Sequence, residues 1–172
     1  MRTIRFWTIL STLLFAFAIF AWAQGRKAGL WEMTTTMTWQ QSPFPPGVTP
    51  PGGPNSAFSG APHTTQICLT QAMIEKYGAP FPQTRGDCKV TNLQKSDHGM
   101  SADLVCTGRV SGKGSLQSSW HDSEHAKGTL HFTGSMQGAS GTIPLEWTSQ
   151  SSSVYKGADC GSVQPPPIPA DQ

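Results

Sequence analysis

After its first 23 residues the sequence has no apolar run long enough to span a bilayer, no CxxC pair, no GxSxG elbow and no GxxxxGK[ST] loop. Each absence excludes something. A membrane helix needs roughly 20 apolar residues. Thioredoxin-like redox centres and the common zinc knuckles need closely spaced cysteines. Gly138-Ala139-Ser140-Gly141 reads as a turn and not as a nucleophile elbow, and no P-loop is present to cradle a nucleotide phosphate. The ten Asp and Glu are scattered, so no carboxylate pair stands out for acid–base work. No catalytic residue is assigned, no cofactor is expected, and the chain reads as a non-enzyme.

The first segment differs from the rest. Arg2 and Arg5 precede an uncharged run, Phe6 to Phe20, which ends in Ala21-Trp22-Ala23. A positive start, an apolar middle and a small-x-small exit make a secretory signal peptide, cleaved after Ala23 to leave Gln24 first. An uncleaved anchor is the alternative, but no stop-transfer pattern follows. No cysteine follows the cut to take a bacterial lipid anchor. Removing Arg2 and Arg5 from the 12 Lys and Arg leaves 10, equal to the 10 Asp and Glu. The apparent basicity therefore belongs to targeting, and no nucleic-acid footprint remains.

Residues 24–163 form one domain on the length prior, followed by a Pro-rich tail, residues 164–172, expected to be disordered. In Leu30 to Gln40 the residues Trp31, Met33, Met37 and Trp39 fall on odd positions, and Glu32, Thr34, Thr36 and Thr38 on even ones. That period of two predicts a strand with one buried face. Gln41 to Pro62 holds seven Pro and four Gly, which bars it from a sheet interior and predicts a mobile loop. Its Pro43-Phe44-Pro45-Pro46 could serve a partner as a polyproline ligand. Further strands are predicted at 64–69, 88–95, 100–110, 113–120, 128–136, 142–149 and 152–156. Thr70 caps a short helix, 71–77, closed by Gly78. The fold class is mainly β: a single antiparallel sheet of about seven or eight strands, curled into a small barrel or a sandwich, with one short helix and two disulfides.

An even count of cysteines in an exported chain implies disulfides. If the turn after Lys95 centres on Asp97, residues summing to 194 lie opposite one another, and Cys88 and Cys106 meet. Cys68 would then join Cys160. Cys68 with Cys88, clamping the helical insertion, is the competing arrangement.

The densest polar cluster is His121-Asp122-Ser123-Glu124-His125. Two imidazoles and two carboxylates could hold a metal through His121 and His125, but a polar hairpin loop is the favoured account of them, and a metal site needs further convergent ligands. Met33, Met37, Met100 and Met136 sit at inward strand positions and read as packing. Trp31, Trp39, Trp120 and Trp147 could line a pocket for an apolar ligand, or simply fill the core.

Laid out in order, these features resemble a known family, the short exported Gram-negative proteins called domain of unknown function 3617. The likeness rests on Gly29-Leu30-Trp31-Glu32 with the Thr/Met run to Met37, on Cys68-Leu69-Thr70, Cys88-Lys89-Val90 and Cys106-Thr107-Gly108, and on the closing Asp159-Cys160. It covers nearly the whole chain after the signal. The chain departs from the family in its longer loop at Gln41 to Pro62. The resemblance implies a periplasmic location and a β-rich fold, and it supplies no activity. Three functions are carried forward. The first is a non-enzymatic module binding a small ligand or an envelope protein. The second is a structural or stress-related envelope protein working through its Pro-rich segments. The third is a metal-dependent protein using the His121/His125 loop. None involves nucleic acid or a membrane span after cleavage.

Overall fold

Alternation of large apolar and Thr side chains makes the first strand, and the same alternation continues across the sheet. The computed structural model describes residues 26–45, 47–48, 53, 56, 58–78, 87–138 and 141–167. The proposed signal segment and the 79–86 connection lie outside these residues, as do parts of the Pro/Gly-rich loop and of the tail. The elements are β1 (Gly29–Gln41), β2 (His63–Leu69), α1 (Gln71–Tyr77), β3 (Cys88–Ser96), β4 (Gly99–Thr107), β5 (Val110–Ser119), β6 (His125–Gly138) and β7 (Gly141–Gly157).

The seven strands form one antiparallel sheet in the order β2-β1-β7-β6-β5-β4-β3. Strands β3 to β7 are a meander, and β1 returns to pair with the free side of β7. β2 and β3 are the two ends of the order, so the sheet is not closed into the barrel that was one of the two expected forms. Strand β2 runs into α1, and α1 spans the inner face with side chains instead of closing it with backbone hydrogen bonds. Met73 packs with Trp31 and Leu69, and Tyr77 packs with Met100, Ala102 and Trp120. The helix has the predicted caps. The Thr70 side chain accepts from the Met73 N–H at 3.2 Å, and Gly78, at φ 73°, donates its N–H to the Ile74 carbonyl at 2.7 Å.

Two strand boundaries differ from the sequence expectation. Residues 100–110 do not form one strand; β4 ends at Thr107 and β5 begins at Val110. The predicted strands 142–149 and 152–156 are one strand of 17 residues. Serine is a weak strand former, but here β1 and β6 pair with β7 through Ser149 to Ser153 on both sides, and the ladder overrides local preference. The bonded cysteines are Cys88 with Cys106 and Cys68 with Cys160; the first pair lies directly opposed across β3 and β4.

The inner face holds apolar clusters at its two ends. Around α1 are Trp31, Leu69 and Met73, with Tyr77, Met100 and Trp120 beside them. At the other end are Phe132, Leu145 and the Cys88–Cys106 bond, with Trp39 and Trp147 against them. Part of the Pro/Gly-rich loop folds back over this end. The Trp39 indole N–H donates to the Phe58 carbonyl at 3.0 Å, and Phe44 meets Trp39 edge to face.

Candidate functional site

Between the two clusters the inner face changes character. Along β7 the inward positions run Leu145, Trp147, Ser149, Ser151, Ser153, Tyr155, so three small hydroxyls interrupt a row of large apolar side chains. Opposite them on β6 lie Leu130, Gly128 and Ala126. A face that alternates correctly but carries small residues mid-sheet leaves space above them. That space is a hollow of about 210 Å³. Its apolar walls are Met33, Ile67, Leu116, Ala126 and Leu130, its floor is Ser118, Gly128 and the three serines, and Thr35, Lys127 and Thr129 also line it. Ser151 Oγ donates to the Gly128 carbonyl at 3.4 Å across the floor. The hollow is therefore apolar-walled with a few hydroxyls, the usual chemistry of a small-molecule site.

A broader depression of about 450 Å³ lies against the β3–β4 hairpin. Gln94, Ser101, Gln117, Lys95 and Lys127 contribute to it. It lacks the apolar walls of the smaller hollow and its polar groups already face solvent.

None of the four tryptophans lines the smaller hollow. Trp31 is fully buried and Trp120 nearly so, each in a packed cluster, and Trp39 and Trp147 pack half-buried at the far end. Their indole N–H groups are used structurally: Trp31 donates to the Lys27 carbonyl at 2.9 Å and Trp120 to the Asp97 carbonyl at 2.7 Å.

The His121–His125 segment is a turn organised by one carboxylate. Asp122 Oδ1 accepts the backbone N–H groups of Glu124 and His125, both at 2.7 Å, and the Asp122 carboxylate also meets the His125 ring at 3.0 Å. The Glu124 N–H, and then the His125 ring and backbone, hold the Asp122 carboxyl below the usual carboxylate range. Glu124 is paired with Lys27, whose ammonium that hydrogen bond holds above its ordinary range. Among the described residues no three His, Cys, Asp or Glu side chains converge as a metal would require, and His121 is not joined to His125.

The residue the sequence reading missed is Arg26, just ahead of β1. It is 5 % exposed and lies beneath α1, between the indoles of Trp31 and Trp120. Burial pulls its guanidinium down to about 10, which leaves it cationic at neutral pH. A lone arginine three residues ahead of the first strand carries no periodic signal, so sequence alone gives no reason to place it inside. The three inner serines did carry one: they continue the odd positions of Leu145 and Trp147 and precede Tyr155.

No curated protein and no solved structure matches this chain. The family model described as "Protein of unknown function (DUF3617)" matches residues 26–160, from Arg26 through the last bonded cysteine. The match spans the whole sheet, α1 and both disulfides, and the chain belongs to that family.

Proposed function

We propose that this protein is a non-enzymatic periplasmic binding module that takes a small, largely apolar molecule into the hollow on the inner face of its sheet. The observation that carries the reading is the Ser149-Ser151-Ser153 row over Gly128, which leaves space where the strand pattern calls for large side chains. A domain needing only a core gains by filling such a position. At about 210 Å³ the hollow is below the roughly 300–1,000 Å³ of drug-sized sites, so it suits a short aliphatic or single-ring group.

The periplasmic part of the reading draws on the signal segment and on the cysteines. All four are bonded, as an oxidising compartment favours. Native mass spectrometry of protein recovered from a bacterial periplasm should give a chain starting at Gln24, lighter than the reduced chain by the four hydrogens its two disulfides remove. A chain retaining Met1 would contradict the export reading.

The binding reading is tested with 1-octanol, titrated into the protein and followed by calorimetry. Ser151→Leu places a branched side chain over Gly128. It is expected to weaken octanol binding by about tenfold or more, the effect of losing one well-buried apolar contact set. Its melting temperature should not fall, since the new side chain enters empty space. Equal octanol affinity in Ser151→Leu and wild type, or no binding by wild type, would sink the proposal.

A further inference from the structure

The side chains of the broader, polar depression come from two neighbouring cross-strand rows. Gln94, Ser101, Gln117 and Thr129 stand side by side on β3, β4, β5 and β6. Ser96, Gly99, Ser119 and Lys127 make the next row on the same strands. Met100 and Leu116, each one position away, turn to the inner face and pack with Tyr77 and Trp120. Alternation therefore puts both rows on the outer face, opposite the hollow. Gly99 has no side chain and leaves a gap in the second row. At about 450 Å³ the depression falls within the roughly 300–1,000 Å³ of small-molecule sites.

Its distinguishing feature is unused hydrogen-bonding capacity. At several other places on the outer face polar side chains satisfy one another. Thr34 meets Thr64 at 2.9 Å, Ser111 meets Ser135 at 3.2 Å, and His131 meets Thr148 at 3.1 Å. In the depression the Gln94 and Gln117 amides and the Lys127 ammonium are exposed, with no hydrogen-bond or ion-pair partner among the described residues. No Asp or Glu lines it, so no carboxylate of the lining offsets the Lys127 charge. The other lysine, Lys95, is engaged: its Nζ donates to the Glu75 carbonyl on α1.

We infer that the depression binds a sugar acid, with its carboxylate at Lys127 and its hydroxyls on the amides of Gln94 and Gln117. The inference goes beyond the hollow and does not depend on it. The residue types select the class. A primary amide both donates and accepts, as a sugar hydroxyl does, so each Gln can pair with a hydroxyl in either sense. A bare phosphate offers acceptors almost alone and would leave the amide oxygens facing it without a donor. β3 and β5 are two strand spacings apart, roughly 10 Å. The two amides therefore flank a seat over Ser101 and Gly99, and Lys127 bounds it on the β6 side. These groups are hydrated when exposed, so a ligand exchanges water contacts for protein contacts and binds modestly.

The test titrates glucuronate, glucose and inorganic phosphate separately into the oxidised protein at neutral pH. NMR follows the side-chain amide resonances of Gln94 and Gln117. Both resonances are expected to move with either sugar. Glucuronate is expected to bind about two- to fivefold tighter than glucose, the scale of an exposed ion pair. Lys127→Gln should bring glucuronate down to the affinity of glucose and leave glucose unchanged. Gln117→Ala should weaken both sugars about fivefold, the effect of one lost hydrogen bond, with Gln94 as the remaining reporter. Both substituted side chains are exposed, so the variants stay folded. Three results would overturn the inference: amides that do not respond to glucuronate, a glucuronate preference that survives Lys127→Gln, or phosphate binding as tight as that of glucuronate, which would mark a general anion patch.

Discussion

Replacing Cys68 and Cys160 together by alanine is expected to lower the free energy of unfolding by about 4.5 kcal/mol, read as a shift in urea midpoint under non-reducing conditions. The two residues are 92 apart in sequence, and in the chain-entropy account a longer closed loop restricts the unfolded ensemble more. The Cys88–Cys106 bond closes 18 residues and is expected to contribute about 3 kcal/mol. Against the roughly 5–15 kcal/mol that holds a typical domain together, the first loss is a large fraction. Position reinforces the ranking. Cys68 lies in β2, an edge strand with only β1 as neighbour, and that strand leads directly into α1. Releasing it loosens the attachment of Leu69 and Met73 over Trp31, the cluster against which the wall residue Ile67 packs. Cys88 and Cys106 sit on strands already paired along their length. A larger loss from Cys88→Ala/Cys106→Ala than from Cys68→Ala/Cys160→Ala would show that loop length does not rank the two bonds in this protein.

How far the sequence exposed this arrangement depends on the kind of signal each residue carries. Strand β1 was legible because Trp and Met alternate with Thr over eleven positions, and the helix because Thr70 and Gly78 mark both ends. The Cys88–Cys106 contact was read from a turn centred on Asp97, and the structure reaches the same contact by another route. Near the turn, Ser96 faces Gly99, Lys95 faces Met100 and Gln94 faces Ser101, one residue out from the assumed register. A bulge between Thr91 and Gln94 then shifts the ladder, with Asn92 at φ 53° and its side-chain amide donating to Asp103 Oδ2 at 2.7 Å. Without that bulge the register of the turn would set Cys88 against Thr107. The openness of the sheet was not legible, because edge pairing depends on where the 79–86 connection and α1 carry the chain, and alternation within a strand does not report on its neighbours. At the candidate site, Ser149 and Ser153 fell inside predicted strands, and only Gln150 and Ser151 were misread as a break, since propensity ignores the two flanking strands that hold them. Arg26 was invisible, since burial of a lone charge is decided by what packs around it.

Phe132→Ala is expected to cost about 3–5 kcal/mol, at the upper end for a single core truncation. The ring is 2 % exposed and stacks on Trp147 with centroids 5.7 Å apart. Its other contacts are less ordinary. A Cβ on Gly112 would lie 2.9 Å from the ring, one on Gly114 3.1 Å, and one on Gly134 3.0 Å. The phenyl group therefore covers two glycines on the neighbouring strand β5 and one, Gly134, on its own strand β6, supplying the apolar cover that those positions lack. Gly112 and Gly134 are also paired across β5 and β6, so truncation would uncover two facing glycine backbones at once. The reciprocal change is informative. A Cβ at Gly134 would stand 2.1 Å from the Ser111 carbonyl oxygen and 2.8 Å from Gly112 Cα, both backbone atoms that cannot rotate away. Gly134→Ala is thus expected to destabilise by about 1–3 kcal/mol through overpacking, not through a cavity. Thermal melts of both variants separate the two mechanisms, because a tolerated Gly134→Ala would mean the strands can part there and the ring is not held as described. Trp147 connects this region to the hollow, since Ser149 follows it on the same face of β7. Phe132→Ala at a temperature where it stays folded should nevertheless bind octanol close to wild type, because Leu130 and not Phe132 forms the wall. The far cluster would then act as a rigid end against which a deliberately underfilled middle is kept open.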